Sequence, residues 1–157
     1  MSRVEWGNDL KTGIDEIDLQ HRQLVDLFNQ FKEAKQDPHQ MRKVLHGLRR
    51  YVASHFVFEE TLMNDAGYRF ARVHKKVHEL ISKRLAEIHR RFREGQDVTG
   101  ELNNLLDTWL YSHTQNDDAA YVKTVKDYLG TRSRRSSGGG WLTRLFQGVW
   151  NGLRGKS

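Results

Sequence analysis

The sequence predicts an all-α protein: an up-down-up-down four-helix bundle with an N-terminal arm, a short fifth helix and a C-terminal amphipathic tail helix. Three observations carry this expectation. One proline, Pro38, stands in 157 residues otherwise rich in strong helix formers. Apolar residues recur at helical rather than alternating spacing in four long stretches. Short breaks at Asp37-Pro38, at Ala66-Gly67 and from Gly95 to Gly100 separate those stretches, and short connections make neighbouring helices antiparallel. A chain of this length buries roughly two-thirds of its unfolded surface, enough for one domain with its own core. It has no cysteine, which excludes thiolate metal sites, cysteine nucleophiles and disulfides, so any metal ligands are nitrogen or oxygen.

Residues 1 to 13 read as an arm, with Trp6 as an anchor on the bundle. Asp15 or Asp18 caps the first helix, whose core stripe is Ile17, His21, Leu24, Phe28 and Phe31. Asp37-Pro38 starts the second helix, cap followed by proline at the first helical position. Its inward face carries Val44, Leu48, Tyr51, Val52, His55, Glu59 and Leu62, while Glu60 points about 100° away and is expected to be solvated. His46 faces away from His55.

The third helix directs Val73, His74, Val77, His78, Ile81, Leu85, Ile88 and Phe92 inward. His89 shares that face but lies roughly 16 Å beyond His78, too far to reach the same ion. Lys75-Lys76 and Arg90-Arg91-Phe92-Arg93 read as solvated surface. The fourth helix places Leu102, Leu105, Leu106, Trp109, Leu110 and His113 inward, and Ala119 to Leu129 forms the fifth with Tyr121, Val122, Val125 and Leu129 against the bundle. Asp118 lies five residues after His113, a rotation of about 140° in a regular helix. It turns inward only if the helix ends or deforms near Asn116; Asp117 competes by plain helical spacing.

A histidine on an apolar stripe is, alone, more often a satisfied core residue than a ligand. Here every long helix brings one inward: His21, His55, His74 with His78, and His113. The pairs His55/Glu59 and His74/His78 are spaced i, i+4, so each can grip one ion from a single helix face. A carboxylate such as Glu59 on a buried face is costly unless it is paired or binds a cation. With Glu59 and Asp118 the set has seven donors, too many for one ion and suited to two bridged by both carboxylates. Imidazole suits iron, zinc, copper or nickel, so the donors alone do not name the metal.

At these residues the chain resembles a bacterial hemerythrin. The likeness is carried by GIDEIDLQH around His21, HFVFEE at His55 and Glu59, HKKVH at His74 and His78, and HTQNDDAAY at His113 and Asp118, and it covers residues 4 to about 129. It implies two non-heme irons bridged by Glu59, Asp118 and a hydroxide, with His74, His78 and His113 on the saturated iron and His21 and His55 on the open one. It also implies reversible O2 binding, for transport, delivery, storage or sensing. Thr114 and Gln115 stand where the family usually has bulky apolar residues. A Gln115 amide pointing into the pocket would favour the alternative, a di-iron peroxidase or ferroxidase.

Charge is uneven along the chain. Arg132, Arg134, Arg135, Arg144, Arg154 and Lys156 account for the whole formal charge of +6, leaving 20 Lys and Arg against 20 Asp and Glu before residue 130. That balanced body gives no expectation of nucleic-acid binding. The expected organisation is a di-iron bundle over residues 1–129, a flexible basic Gly/Ser linker over 130–140 and an amphipathic basic tail over 141–157. As a helix the tail is too short to span a bilayer but suited to an anionic membrane surface; docking to a protein partner or shell, or packing on the bundle, are its other readings. The start, MSRVEWGNDL, shows no apolar leader, so the expected location is cytoplasmic, with the tail able to hold the protein at the inner face of the membrane. Oligomeric state is not legible.

Overall fold

Each break in the sequence closes or opens a helix for an identifiable reason. The structure, a computed structural model, describes residues 3–34 and 37–135; the expected tail helix at 141–157 lies outside the described residues. Helix α1 spans Asp15–Ala34, α2 Pro38–Asp65, α3 Ala71–Arg93, α4 Thr99–Ser112 and α5 Ala119–Arg135. A single π-helical turn, His113–Asp118, joins α4 and α5 into one rod, the fourth strut of the bundle. No strand occurs among the described residues.

Asp37 caps α2 as expected, its carboxylate accepting from the backbone N–H groups of His39 and Gln40 at 2.9 and 3.2 Å. Gly67 and Gly95, with φ of 69° and 82°, take the left-handed turns that end α2 and α3. Asp18 is used differently from a simple cap: it accepts from Thr12 N–H and hydroxyl and from Gly13 N–H, tying the arm to α1. Asn29 holds the arm further up through paired bonds with the backbone of Val4, and Trp6 packs on the core beneath Arg22.

The apolar interior is split into two clusters. One takes Leu24 to Phe31 of α1, Met41 to Phe56 of α2, Leu85 and Ile88 of α3, and Leu102 to Leu110 of α4. The other takes Ile14 and Ile17, Phe58 to Met63, Ala71, Tyr121 and Val125. On every strut the gap between the clusters is filled by the inward histidines and acids of the sequence, so the polar set forms a layer across the middle of the bundle.

Two expectations are corrected. Val73 is 61% exposed, because α3 turns its face with His74, His78, Leu85 and Ile88 inward and a residue directly before His74 lies about 100° off it. Helix α5 runs past Leu129 to Arg135, so the first residues of the stretch 130–140 are helical. Thr131 bonds back to the Tyr128 carbonyl and Arg132 to the Tyr128 hydroxyl, extending the helix by local side-chain contacts.

Candidate metal centre

The structure brings all seven predicted residues to one place. His21 comes from α1, His55 and Glu59 from α2, His74 and His78 from α3, and His113 and Asp118 from the two ends of the π turn; none is more than 6% exposed. Glu59 is central. Its carboxylate lies 3.2 to 3.9 Å from the Nε2 atoms of all five histidines. Asp118 lies 3.2 Å from His21, 3.3 Å from His113 and 3.6 Å from His74. Two overlapping quartets, His21/His55/Glu59/His113 and Glu59/His74/His78/His113, each keep their donor atoms within 4.8 Å of one another.

These atoms are buried but unspent. The Nε2 atoms of all five histidines, Oε2 of Glu59 and both oxygens of Asp118 have no hydrogen-bond partner. Leaving a buried polar atom unpaired costs roughly 1–3 kcal/mol, more when it is charged, so a fold that gathers this many in contact must gain something else by it. A cation satisfies every one at once, and nitrogen and carboxylate donors fit a transition metal.

The far sides of two imidazoles are held in place. Gln20 Oε1 accepts from His55 Nδ1 at 2.9 Å and Glu60 Oε1 meets His78 Nδ1 at 3.1 Å, which leaves each Nε2 lone pair facing inward. Tyr121 donates its hydroxyl to Glu59 Oε1 at 2.6 Å. Phe56 stacks on His78 at 3.8 Å and Trp109 on His113 at 5.3 Å, walling the layer off from water. Burial holds His55 well below the ordinary imidazole range, so it stays neutral with a free lone pair. Burial alone would raise Glu59, yet the imidazoles around it, His55 first, keep it well below the usual carboxylate range and therefore charged. Burial would lower His113 too, but Asp118, Asp117 and Glu59 outweigh it and push its pKa up to about 10. The layer's negative field thus attracts positive charge even onto an imidazole.

The π turn settles the rivalry between Asp117 and Asp118. A π-helix bonds residue i to i+5 and fits one extra residue into a turn, so His113 and Asp118 stack as i, i+4 residues do in an α-helix. Thr114 eases the loosened ladder by giving its hydroxyl to the Leu110 carbonyl at 2.8 Å. Asp117 falls outside the cluster, 3.7 Å from His113 Nδ1.

The profile of the hemerythrin HHE cation binding domain matches residues 12–125. This chain belongs to the hemerythrin family. It is similar to the bacteriohemerythrin of Pseudomonas aeruginosa, 45% identical over 149 residues that cover 94% of this chain and 97% of the relative. The bacteriohemerythrin of Stenotrophomonas maltophilia is 41% identical over the same shares, and that of Methylococcus capsulatus 27% identical over 125 residues, 77% of this chain and 95% of the relative. The first two alignments leave too little of the chain uncovered to omit the stretch beyond the bundle.

Within this hemerythrin bundle two sequence expectations change. Glu60 is not simply solvated: it joins His78 to Lys75, which lies 3.0 Å from its other oxygen. Gln115 lies on the exposed outer side of the π turn, and Thr114, whose hydroxyl is committed to the backbone, takes the buried position beside His113. The amide expected to favour peroxide or iron-oxidising chemistry is therefore directed away from the site.

Sequence reasoning missed Gln20 and Tyr121 as supports of the centre. A tyrosine on an inward stripe needs a partner for its hydroxyl, and the buried Glu59 was the available acceptor. Burial and the charges of Asp118 and Glu59 push the Tyr121 hydroxyl well above its ordinary pKa, so it remains a donor. Replacing Tyr121 with phenylalanine is expected to weaken metal binding by about 10- to 100-fold with the bundle intact. Competition with a chelator of known affinity measures this, and unchanged affinity would show that Glu59 is positioned without the hydroxyl.

Proposed function

We propose that the protein binds O2 reversibly at a non-heme di-iron centre held by His21, His55, Glu59, His74, His78, His113 and Asp118, serving oxygen transport, delivery, storage or sensing. The observation that carries this reading is the buried layer of inward, unpartnered imidazole and carboxylate atoms, with Glu59 in reach of all five histidines. A ferrous pair would supply the two electrons that O2 takes up on binding and returns on release. The chain's own part is to position and to exclude. Glu59 and Asp118 reach histidines from different struts, as bridging ligands must, while Gln20, Glu60 and Tyr121 fix the orientation of what they touch. Five of the seven donors are imidazoles, which ligate a metal in their neutral form, so the chain would offer little negative charge to sustain a more oxidised centre, and this favours reversal. Phe56 and Trp109 keep out the water that would carry protons to the site.

The test is an anaerobically reduced, iron-loaded sample exposed to O2. A visible absorption band that appears with O2 and disappears on deoxygenation is the expected result; a protein without paired iron, or with no O2-dependent band, would sink the proposal.

The second part of the proposal concerns position. No helix among the described residues is long and apolar enough to cross a membrane. The stretch 141–157 carries Trp141, Leu142, Leu145, Phe146, Val149, Trp150 and Leu153 at helical spacing, with Arg144 and Arg154 on the other side, a pattern suited to an anionic membrane surface. Removing residues 136–157 is expected to leave O2 binding unchanged and to abolish co-sedimentation with phosphatidylglycerol vesicles. Equal sedimentation of the shortened chain would defeat the membrane reading.

A further inference from the structure

The groove between the first half of α2 and the last turns of α3 gathers cations that the metal centre does not use. Arg42, Lys43 and His46 of α2 face His89 and Arg93 of α3 across a cavity of about 440 Å³. An adjoining hollow of about 340 Å³ adds Arg49, Arg90 and Glu94 to the same wall. Elsewhere on α3 several cations have carboxylate partners, Lys75 with Glu60, Arg84 and Arg91 with Glu101, Arg90 with Glu87 and Glu94, while Arg72, Lys76 and Lys83 stand singly without one among the described residues. In the groove four unmatched cations stand together. Among the described residues, Arg42, Lys43, Arg49 and Arg93 have no carboxylate at ion-pair distance, and the one acid in the wall, Glu94, is engaged by Arg90.

The centre of the groove is a pair of imidazoles, with the rings of His46 and His89 6.5 Å apart. Arg49 Nη1 lies 2.7 Å from His89 Nδ1. Guanidinium only donates, so His89 accepts there, is neutral, and presents its Nε2–H as a further donor. Burial, then Arg49, Arg93, His46 and Arg42, hold His89 below the ordinary imidazole range, the mark of a positive field. Like charges held together oppose folding, and a bound polyanion relieves that repulsion.

We propose that this groove binds a phosphate-rich anion, two or three linked phosphate groups either free or at the end of a larger molecule. Arginine's planar fork matches phosphate oxygens in pairs, and the neutral His89 adds a donor without adding charge. A single phosphate leaves most of the volume and most of the charge unmatched. The site lies at the far end of the bundle from the second apolar cluster and shares no residue with the metal centre.

The experiment titrates the full chain, iron-loaded, with inorganic tripolyphosphate by calorimetry, alongside a variant carrying Arg42→Gln, Arg49→Gln and Arg93→Gln. A second variant replaces Arg134, Arg135, Arg144 and Arg154 with glutamine to remove the competing cations beyond the bundle. Both are checked for helicity, since Arg42 and Arg93 are exposed but Arg49 is half-buried against His89. The groove variant is expected to bind at least about tenfold more weakly, and the second variant within about threefold of the parent. Proton NMR of His89 is expected to show its pKa rising when tripolyphosphate is added to the parent and not to the groove variant. A parallel arm uses ATP, which carries three linked phosphates at the end of a larger molecule. Loss of tripolyphosphate binding in the groove variant supports a free oligophosphate, and loss confined to ATP supports a phosphate chain carried on a larger molecule. Unchanged binding of both, or binding lost only in the second variant, overturns the proposal.

Discussion

Glu59→Gln is expected to strip the metal centre while leaving the bundle folded. The carboxylate lies within 3.9 Å of five imidazoles contributed by all four struts, and its Oε2 has no hydrogen-bond partner. A glutamine of the same shape offers one neutral oxygen and one N–H₂ group, and the latter is a donor that cannot ligate a cation. Loss of a residue that merely orients a ligand already costs roughly 10- to 100-fold in metal affinity, and loss of a ligand shared between two ions, the role proposed for Glu59, exceeds that. Stability of the metal-free protein should fall as well, because the imidazoles and the Tyr121 hydroxyl around Glu59 favour its charged form in the fold. Iron per chain by elemental analysis, with thermal melting of the metal-free forms, provides the check. Full iron content in the variant would remove Glu59 from the centre and with it the proposed function.

The second large effect is one of register. The π turn holds one residue more than an α turn, and that residue is what brings Asp118 under His113. Deleting Asn116 converts the spacing of His113 and Asp118 from i, i+5 to i, i+4, which an ordinary α-helix satisfies with both side chains on one face. Tyr121 and Val125, both fully buried, keep their places because everything after the turn shifts together. Adding an alanine after Asn116 does the opposite. Asp117 could then fill the place of Asp118, but Tyr121 and Val125 would be rotated about 100° from Glu59 and from the second apolar cluster. The deletion is expected to retain iron, and the insertion to lose it together with several degrees of melting temperature or more. If the deletion also loses iron, the π geometry itself, and not only the alignment it creates, is required.

The buried polar layer was readable because burying a charge has a large cost and helices have a fixed period. His55 with Glu59 and His74 with His78 announce themselves as paired donors on inward faces, and the structure places both pairs where the stripes point. The arm's anchor Trp6, the Asp37 cap and the glycine breaks follow from local rules of the same kind. Val73 shows the limit. It sits at the margin of the α3 stripe, where a rotation of a few tens of degrees decides between core and solvent and only the packing of α2 and α4 fixes that rotation.

Helix count, bundle topology and the inward histidines were determined by the order of residues alone, since periodicity and capping act within a single helix. Which side chains meet across helices was decided only by the folded arrangement. Gln20 with His55, Glu60 with His78 and Tyr121 with Glu59 are contacts between struts, and no spacing along one strut encodes what faces it from the next. The choice of Asp118 over Asp117, and the outward turn of Gln115, rest on a local departure from helical geometry. The surrounding helices favour that departure because they align His113 above the turn and Tyr121 below it with one buried layer.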